Sequence, residues 1–573
     1  MYKANRKHLQ PLLISNVNDL PEKHRQRLET SWAGTFYREY FCRLKEEQFA
    51  VLYADIPSRP NTPVNVLIGL ETMKAGYGWS DEELYDHFVF DVQVRYALGY
   101  RDLKEGDFDL RTLYNFRRRL SQYNLEKGTN LLAQAFADIT DQQIEAFQVH
   151  TNRQRMDSTQ VASNILDASR LHLAVEAVQR LVRLMNAEEQ HRLAEYITPY
   201  TKGDAGQYVY RIKGKDANGE HLQRVGETLH HLLQVLQGQY GQQAAYQVVR
   251  RFFDENFQLI EDKAIQPKEQ KELASGSLQS LDDVEASFRQ KGNHFYKGYV
   301  VNASETCAEE NLLQLITQVQ VASNNTEDAD LLIEAVPEIK QRMPLDTMIT
   351  DGGYGSPKVD LVLSQNQVQL HQTGIRGKEP KSDKLNLTNL VFEIGEDGKP
   401  TQVTCPQGQR SSIGPGTFTD YIAYFNADIC RNCPFHISQS CRARRVKENH
   451  DHFNWAFSFK EFLWAQRRKR YLALKSQKTN PRAAVEAAMR SLKHAFPNGK
   501  LPVRGQFRVT CVIMSAAAMT NLRRITNYLV AKKHQMNAQN GSQPVGDSFL
   551  ITLASAVDRL GQLIYCFKPC LSC

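Results

Sequence analysis

The chain has 573 residues, of which 41% are hydrophobic and 24% charged. This composition excludes a mainly disordered protein and allows about two to four domains. The formal net charge is +7, and short basic runs lie at residues 117–119, 442–445 and 467–470. Three such runs together favour a polyanionic partner such as nucleic acid, whereas any single run also fits a solvated helix face.

The polar first residues exclude a secretory signal peptide, and no apolar stretch is long enough to span a membrane. The ten cysteines therefore indicate reduced thiols or metal ligands rather than a disulfide framework. We expect a cytoplasmic protein that has no membrane partner.

Residues 1–145 predict a helical N-terminal domain. Thr62 followed by Pro63 is typical of a helix start, and Ser80 with Glu83 matches a capping box. Short helices that end in one with a basic face suit a DNA-binding unit of helix-turn-helix type. A purely structural set of helices is the alternative for this region.

The basic helix of this domain places Leu113, Phe116 and Leu120 on one side. Arginines occupy the rest of its circumference, and Arg117 and Arg118 are the candidates for contact with DNA. This domain is also the predicted site of dimerisation.

Residues 146–374 predict the first part of a mixed α/β core. Residues 146–157 look extended and lead to Asp157, and residues 160–285 form a helical insertion whose leucine stripe is expected to be core. Strand signals dominate from Lys291, followed by alternating helix and strand, with one strand ending at Asp351. A simple helix cap at Asp157 and a simple Asp-Gly turn at Asp351 are the alternatives.

Residues 375–460 look loop-rich and interrupt the core. They carry Cys405, Cys430, Cys433 and Cys441, a set that fits a closed structural zinc site. Free cysteines in a loop are the alternative.

Residues 461–530 return to the core and contain a helix with Glu486. Asn480 and Pro481 are suited to the start of this helix. Arg482 precedes Glu486 by about one helical turn, and Glu486 precedes Lys493 by about two turns. All three side chains therefore share one face of the helix. A solvent-facing helix with one Arg–Glu pair is the alternative. Residues 531–573 predict a polar tail with a short helix at 549–565.

Asp157, Asp351 and Glu486 stand far apart in sequence, each at the end or on the face of a regular element. Three carboxylates that a fold brings together are the ligands that a two-Mg²⁺ phosphoryl-transfer site needs.

The order of these motifs resembles a bacterial insertion-sequence transposase of the DDE type. The resemblance rests on the segments at 78–84 and 112–117, on the contexts of Asp157 and Asp351, and on the spacing Arg482-x₃-Glu486-x₆-Lys493. The family signature often starts with a tyrosine three residues before the arginine, where this chain has Thr479.

The resemblance implies an α/β fold with an RNase H-like mixed sheet, a helical N-terminal domain, a helical insertion and a cysteine-containing insertion. It implies that Asp157, Asp351 and Glu486 bind two Mg²⁺ or Mn²⁺ ions. It also implies that Arg482 and Lys493 contact the phosphates of transposon ends. Tyr354 would position a flanking nucleotide, with plain packing as its alternative.

By the same resemblance the protein binds the inverted ends of an insertion sequence, cleaves DNA and transfers the freed strand to target DNA. Its partners are then transposon-end and target DNA, with a homodimer or higher multimer formed on DNA near the bacterial nucleoid. The alternatives are a domesticated, non-catalytic relative that only binds DNA, an RNase H-like nuclease that recognises DNA structure, and a helical scaffold with accidental motifs.

Overall fold

The computed structural model describes residues 1–10, 15–54, 60–201, 203, 206, 215–260, 264–375, 383–395, 397–444, 451–475 and 483–539. Within this part of the chain, no helix is both long enough and apolar enough to cross a membrane. The residues around Asn480 and Pro481 and the predicted helix at 549–565 lie outside the described residues.

The N-terminal region is helical, as the sequence predicts. Its α-helices are α1 Glu22–Thr30, α2 Trp32–Glu39, α3 Val64–Tyr77, α4 Asp81–Phe90, α5 Val92–Ala97, α6 Leu110–Lys127 and α7 Leu131–Phe147. The capping box at Ser80 and Glu83 is present. The predicted start of α3 is wrong by one residue, because Pro63 is the cap and Thr62 precedes it.

Strand β1, Arg153–Val161, follows α7 and contains Asp157 in its interior. The prediction that residues 146–157 are extended is therefore wrong in its bounds. Helix α7 runs to Phe147, and Gln148 ends it in the left-handed conformation, with φ of 52°.

A helical insertion separates β1 from the rest of its sheet. It consists of α8 Arg170–Val182, α9 Ala187–Arg192, α10 Ala194–Ile197, α11 Lys215–Tyr240, α12 Ala244–Asn256 and the hairpin β2 Phe257–Leu259 with β3 Ile265–Pro267. The predicted leucine stripe lies on α11, and its members are buried in a core of the insertion's own. Burial of this stripe gives the insertion its own packing, as expected for an apolar helix face.

The main sheet resumes after the insertion. Its further strands and the helices that follow them are β4 Ser287–Lys291, β5 His294–Thr306, β6 Ile316–Ser323, α13 Asp328–Arg342, β7 Thr347–Thr350, α14 Pro357–Gln365 and β8 Gln369–Gln372. The strands pair in the order β6-β5-β1-β7-β8, and β4 forms a hairpin with the start of β5. β5 is antiparallel to β1 and β6, whereas β1, β7 and β8 are parallel. This arrangement confirms the predicted RNase H-like mixed sheet.

Residues 391–457 form a second sheet, and the prediction of a loop-rich segment is wrong there. Its elements are β9 Val391–Ile394, β10 Pro400–Thr404, β11 Arg410–Pro415, β12 Tyr421–Asn426, α15 Ala427–Arg431, α16 Pro434–Ile437 and β13 His452–Phe457. The strands are antiparallel in chain order from β9 to β13. They are short and bounded by Pro, Gly, Ser and Thr, so the turn signals hide the alternation of the strands.

The chain then ends, within the described residues, in three helices: α17 Phe459–Lys475, α18 Ala483–Lys493 and α19 Gln506–Gln539. The predicted polar tail from about residue 530 is wrong up to Gln539, because α19 continues that far. Lys and Gln are good helix formers, so a polar composition did not mark the end of this helix.

Helix α19 joins the N-terminal helices to the main sheet. One core contains Leu70 of α3, Val301 of β5, Leu492 of α18 and Met519 of α19. Asn521 of α19 also bonds to the backbone of β6, because its Nδ2 donates to the carbonyl oxygen of Ile316 at 2.9 Å. The N-terminal helices and one face of the sheet are therefore packed as a single body.

Arg117 of the predicted DNA-contacting pair takes part in an ion-pair network inside the N-terminal domain. Its guanidinium donates to Glu71 at 2.6 Å and to both oxygens of Asp81 at 2.7 and 2.9 Å. Lys74 also binds Asp81. The network links α3, α4 and α6, so Arg117 stabilises the domain, whereas Arg118 is exposed.

We predict that Gly76→Ala separates α3 from α19. A Cβ at this position would lie 2.2 Å from Cγ and 2.8 Å from Cβ of Met519, too close for either helix to stay in place. We expect a loss of roughly 1–3 kcal/mol in the free energy of unfolding, and partial recovery when Met519→Ala is added. Gly238→Ala is the control, because an added Cβ there meets nothing within 4 Å. Equal thermal stability of the two single variants would refute this packing.

We predict that Asp81 makes a pH-dependent contribution to the free energy of unfolding. Burial alone would raise its pKa, but Arg117 and Lys74 outweigh burial and lower the pKa to about 2. The stabilisation is therefore complete above the ordinary pKa near 4 and is lost as pH falls towards 2. Asp81→Asn should cost about 2 kcal/mol at pH 7, and the difference from wild type should shrink between pH 4 and pH 2. Thermal unfolding across this range checks it, with the exposed Asp86→Asn as control.

Candidate active site

The two aspartates identified from the sequence are adjacent on neighbouring parallel strands. β1 pairs with β7 so that Arg155 lies opposite Ile349. Two residues further along, Asp157 therefore comes opposite Asp351, which directly follows β7. Adjacent strands are about 4.8 Å apart, and paired residues project to the same face. The sheet thus brings together two carboxylates that are far apart in the sequence.

Asp351 is held by the turn that it begins. Its Oδ1 accepts a hydrogen bond from the backbone N–H of Gly353 at 2.7 Å, and its carbonyl oxygen accepts one from Gln372 Nε2 at 2.9 Å. A Cβ on Gly352 would lie 2.9 Å from the carbonyl oxygen of Gly374. Glycine is therefore required where the turn passes the end of β8. The close packing of this turn against Gly374 fixes the backbone beside the carboxylate of Asp351.

Asp157 is buried in the sheet, with 9% of its surface exposed. Its Oδ1 accepts a hydrogen bond from the N–H of Ser158 at 2.9 Å. Met156 packs in the core below α13 and α14, whereas Val161 packs in the core that contains α18 and α19. Because side chains alternate along a strand, Asp157 projects to the face covered by α18 and α19.

Tyr354 is fully buried, which favours the packing alternative over contact with a flanking nucleotide. Its hydroxyl donates to Oδ1 of Asn302 on β5 at 2.7 Å. Burial raises the pKa of this phenol well above its usual value, and the negative charges of Asp328, Asp157 and Asp351 raise it further. The tyrosine therefore lies among these three carboxylates and ties the Asp351 turn to the centre of the sheet.

Helix α18 packs on the same face of β1 as the side chain of Asp157. Nζ of Lys493 donates to Oγ1 of Thr159 at 2.7 Å, and burial lowers the pKa of this lysine. Thr159 is two residues beyond Asp157 and shares its face. Lys493 therefore fixes the end of α18 to β1 rather than lying free on the surface.

Glu486 lies in the first turn of α18, and its side chain is exposed. It precedes Lys493 by about two helical turns, on the same side of the helix. Arg482 lies outside the described residues. The helix that carries the third predicted acid thus covers the strand that carries the first.

No group of three or more His, Cys, Asp and Glu side chains is arranged to hold a metal ion among the residues described. The donor chemistry nevertheless fits a hard divalent cation, because Asp157, Asp351 and Glu486 offer carboxylate oxygens. Asp157 and Asp351 are neighbours through their strands, and Glu486 lies in the helix that packs on β1.

Asp328 is a further carboxylate at this site that the sequence analysis missed. It is buried with 5% exposure at the start of α13, and its Oδ1 accepts a hydrogen bond from Oγ of Ser158 at 2.8 Å. An acidic residue in the first turn of a helix is an ordinary capping feature, so the sequence held no signal of its contact with β1. Asp328 holds the residue next to Asp157 from the opposite face.

The predicted zinc ligands lie in and beside the second sheet, but they are not arranged as a group that could hold a metal ion in the described part of the chain. Cys405 follows β10, Cys430 is in α15, Cys433 caps α16, and Cys441 follows that helix. All four are free thiols. Burial raises the pKa of Cys430, and the other three thiols raise it by smaller amounts. Four thiols fit the donor set of a structural zinc ion.

Basic residues of the run at 467–470 form contacts within the protein. Neither a polyanionic partner nor a solvated helix face, the two interpretations of the sequence, predicted these contacts. Arg467 is buried and its Nη1 lies 3.1 Å from Oδ2 of Asp360 on α14. Nε of Arg470 donates to the carbonyl oxygen of Leu370 on β8 at 2.9 Å. These cations attach α17 to the edge of the main sheet.

Residues 404–526 match a family model described as a transposase DDE domain. The match runs from the end of β10 through α18, with Glu486, and into α19. Searches of curated proteins and of solved structures find no match. The family match over residues 404–526, together with the RNase H-like sheet, supports a DDE transposase.

Proposed function

We propose that this protein is the transposase of a bacterial insertion sequence. It binds the inverted ends of its element, cleaves DNA in a metal-dependent reaction and joins the freed 3′-end to target DNA. The match to a transposase DDE domain supports DNA as the substrate, and the specific ends and the strand transfer are the proposal.

One observation carries the proposal: the register of β1 and β7 sets Asp157 beside Asp351 on the face that α18 covers. Glu486 is the acid that α18 offers to this face. A site that cuts and joins phosphodiesters needs convergent carboxylates on rigid elements, and two parallel strands and a packed helix are such elements.

In this site Asp157, Asp351 and Glu486 would hold the ions. Two Mg²⁺ or Mn²⁺ ions, when bound, would activate water or a DNA 3′-hydroxyl and stabilise the leaving oxygen. The Gly353 N–H holds one oxygen of Asp351, and the Ser158 N–H holds one of Asp157. A carboxylate has two oxygens, and each of them can bind a cation.

The basic side chains around the site would contact the DNA. Lys493 anchors α18 to β1 and lies close enough to the site to add positive charge beside a bound phosphate. Arg482, which precedes α18 in the sequence, is proposed as a further phosphate contact. Arg118, exposed on α6, is proposed as a contact of the N-terminal domain with transposon ends, and this domain is the proposed site of dimerisation.

We predict that Asp157→Ala, Asp351→Ala and Glu486→Ala each abolish strand cleavage but preserve DNA binding. Loss of one ligand should lower the cleavage rate at least roughly 1000-fold, which corresponds to about 4 kcal/mol of transition-state stabilisation. The assay uses a supercoiled plasmid that carries the gene with its flanking DNA, in Mg²⁺, and a gel-shift measurement with the same flanks.

Asp346→Ala is the matched control, because this exposed aspartate lies just before β7, at the opposite end of the strand from Asp351. It should cleave like wild type. Full cleavage by any of the three alanine variants would overturn the proposed site. Cleavage that prefers branched DNA over the gene's flanks would instead favour a structure-specific nuclease.

We also propose a structural zinc ion held by Cys405, Cys430, Cys433 and Cys441. Purified protein should contain about one zinc per chain, measured by mass spectrometry of the metal. The pair Cys430→Ser and Cys433→Ser should remove it and lower the melting temperature.

Cys42→Ser and Cys307→Ser are the controls for the zinc site, because both cysteines lie outside the second sheet. Their zinc content should equal that of wild type. Zinc-free wild-type protein, or an unchanged zinc content in the Cys430 and Cys433 variant, would contradict the assignment.

A further inference from the structure

The hairpin of β4 and β5 projects beyond the main sheet. Both neighbours of β5 stop at Tyr299, which pairs with Val161 of β1 and with Ser323 of β6. β5 continues past this point towards its own start at His294 and is paired there only with β4 among the described strands. The hairpin therefore forms a two-stranded arm on an otherwise complete sheet.

The two faces of the arm differ in chemistry. Lys291 pairs with His294, and Gln290 pairs with Phe295, so the members of each pair share a face. Lys291 and His294 then lie on one face with Arg289 and Tyr296, and Phe295 lies on the other with Phe288. One face of the arm thus carries most of its basic side chains, and the other carries both phenylalanines with Lys297 at the base.

The tip of the arm is exposed without interruption from residue 290 to residue 295. Phe295 is 65% exposed and stacks on Phe288, with ring centroids 5.8 Å apart. Residues 288–296 contain two cations and a histidine but no acidic residue. An exposed aromatic ring on a basic ribbon marks a binding surface, and its charge complements a polyanion.

The base of the arm is held firmly. Arg289 donates to the carbonyl oxygens of Asn324 and Thr326 at 3.3 and 3.0 Å, and Lys297 pairs with Asp167 at 2.6 Å. These contacts attach the arm to the turn after β6 and to the segment after β1. The tip is consequently presented in a fixed direction.

The arm extends from the same end of the sheet at which the candidate active site lies. β5 is antiparallel to β1, so the arm extends from the carboxyl end of β1, the end at which Asp351 follows the parallel strand β7. Asp157 pairs with Ala303, eight residues from Phe295. At about 3.4 Å per residue the tip stands roughly 27 Å from Asp157.

We propose that this arm is a second DNA contact, which holds the duplex about eight base pairs from the phosphodiester at the acidic site. The spacing follows from a rise of about 3.4 Å per base pair. A two-stranded β-ribbon fits the major groove. Lys291 and His294 contact backbone phosphates, and Phe295 contacts a sugar or base. The inference rests on the proposed function, because it takes the acids as the cleavage point.

The test places a photo-crosslinking benzoylphenylalanine at position 295 of the full-length protein. Crosslinks to a duplex from the gene's flanking DNA are mapped relative to the Mg²⁺-dependent cut. We expect them about eight base pairs from that cut. The same amino acid at Leu312 is the control, because this residue is 84% exposed at the other end of β5. No crosslink at 295, or one no stronger than at 312, would overturn the inference.

Binding measurements provide a second, independent test. Phe295→Ala should weaken binding of this duplex roughly fivefold or more without changing the melting temperature. Lys291→Gln with His294→Gln should reduce the slope of log affinity against log salt by about one to two. Leu312→Ala should change neither quantity. Wild-type affinity and salt slope in these arm variants would also overturn the inference.

Two outcomes separate this inference from the proposed function. If wild-type protein cuts the flanks but the arm variants bind like wild type, only the arm assignment fails. If wild-type protein never cuts, the proposed function fails, whatever the crosslinks show. A shift of Phe295→Ala from a dimer to a monomer without DNA would assign the aromatic face to a second copy of the chain and contradict the DNA contact.

Discussion

The parallel pairing of β1 with β7 is the constraint on which the candidate site depends. It alone brings Asp157 next to Asp351, because the two residues are separated in the chain by the helical insertion and by four strands of the main sheet, β4 to β7. A slip of one residue between these strands would turn Asp351 to the opposite face of the sheet. Tyr354 and Asn302 resist such a slip, since their hydrogen bond fastens the Asp351 turn to β5.

The second constraint is the packing of α18 and α19 on the same face. Lys493 fixes α18 to β1, and α19 shares one core with the N-terminal helices and the sheet. The proposed DNA-binding domain and the acidic site are therefore parts of one packed body. Much of the positive charge is also structural: Arg117 stabilises the N-terminal helices, and Arg467 attaches α17 to α14. The exposed basic surface is smaller than the sequence suggests.

Long, strongly patterned elements were predictable from sequence, and contacts between distant elements were not. The capping box at Ser80, the buried stripe of α11 and the strand that ends before Asp351 follow from local patterns. The second sheet was missed because its short strands carry many turn residues. The burial of Tyr354 and the contact of Asp328 with Ser158 depend on tertiary packing, which a single sequence does not encode locally.

The central claim is that Asp157 and Asp351 are direct ligands of the catalytic ions. Replacing each by cysteine offers a thiolate, which prefers soft cations to Mg²⁺. We predict that Asp157→Cys and Asp351→Cys fail to cleave in Mg²⁺ and regain cleavage when Cd²⁺ is added, whereas the alanine variants do not. Equal behaviour of the cysteine and alanine variants in Cd²⁺ would contradict direct ligation.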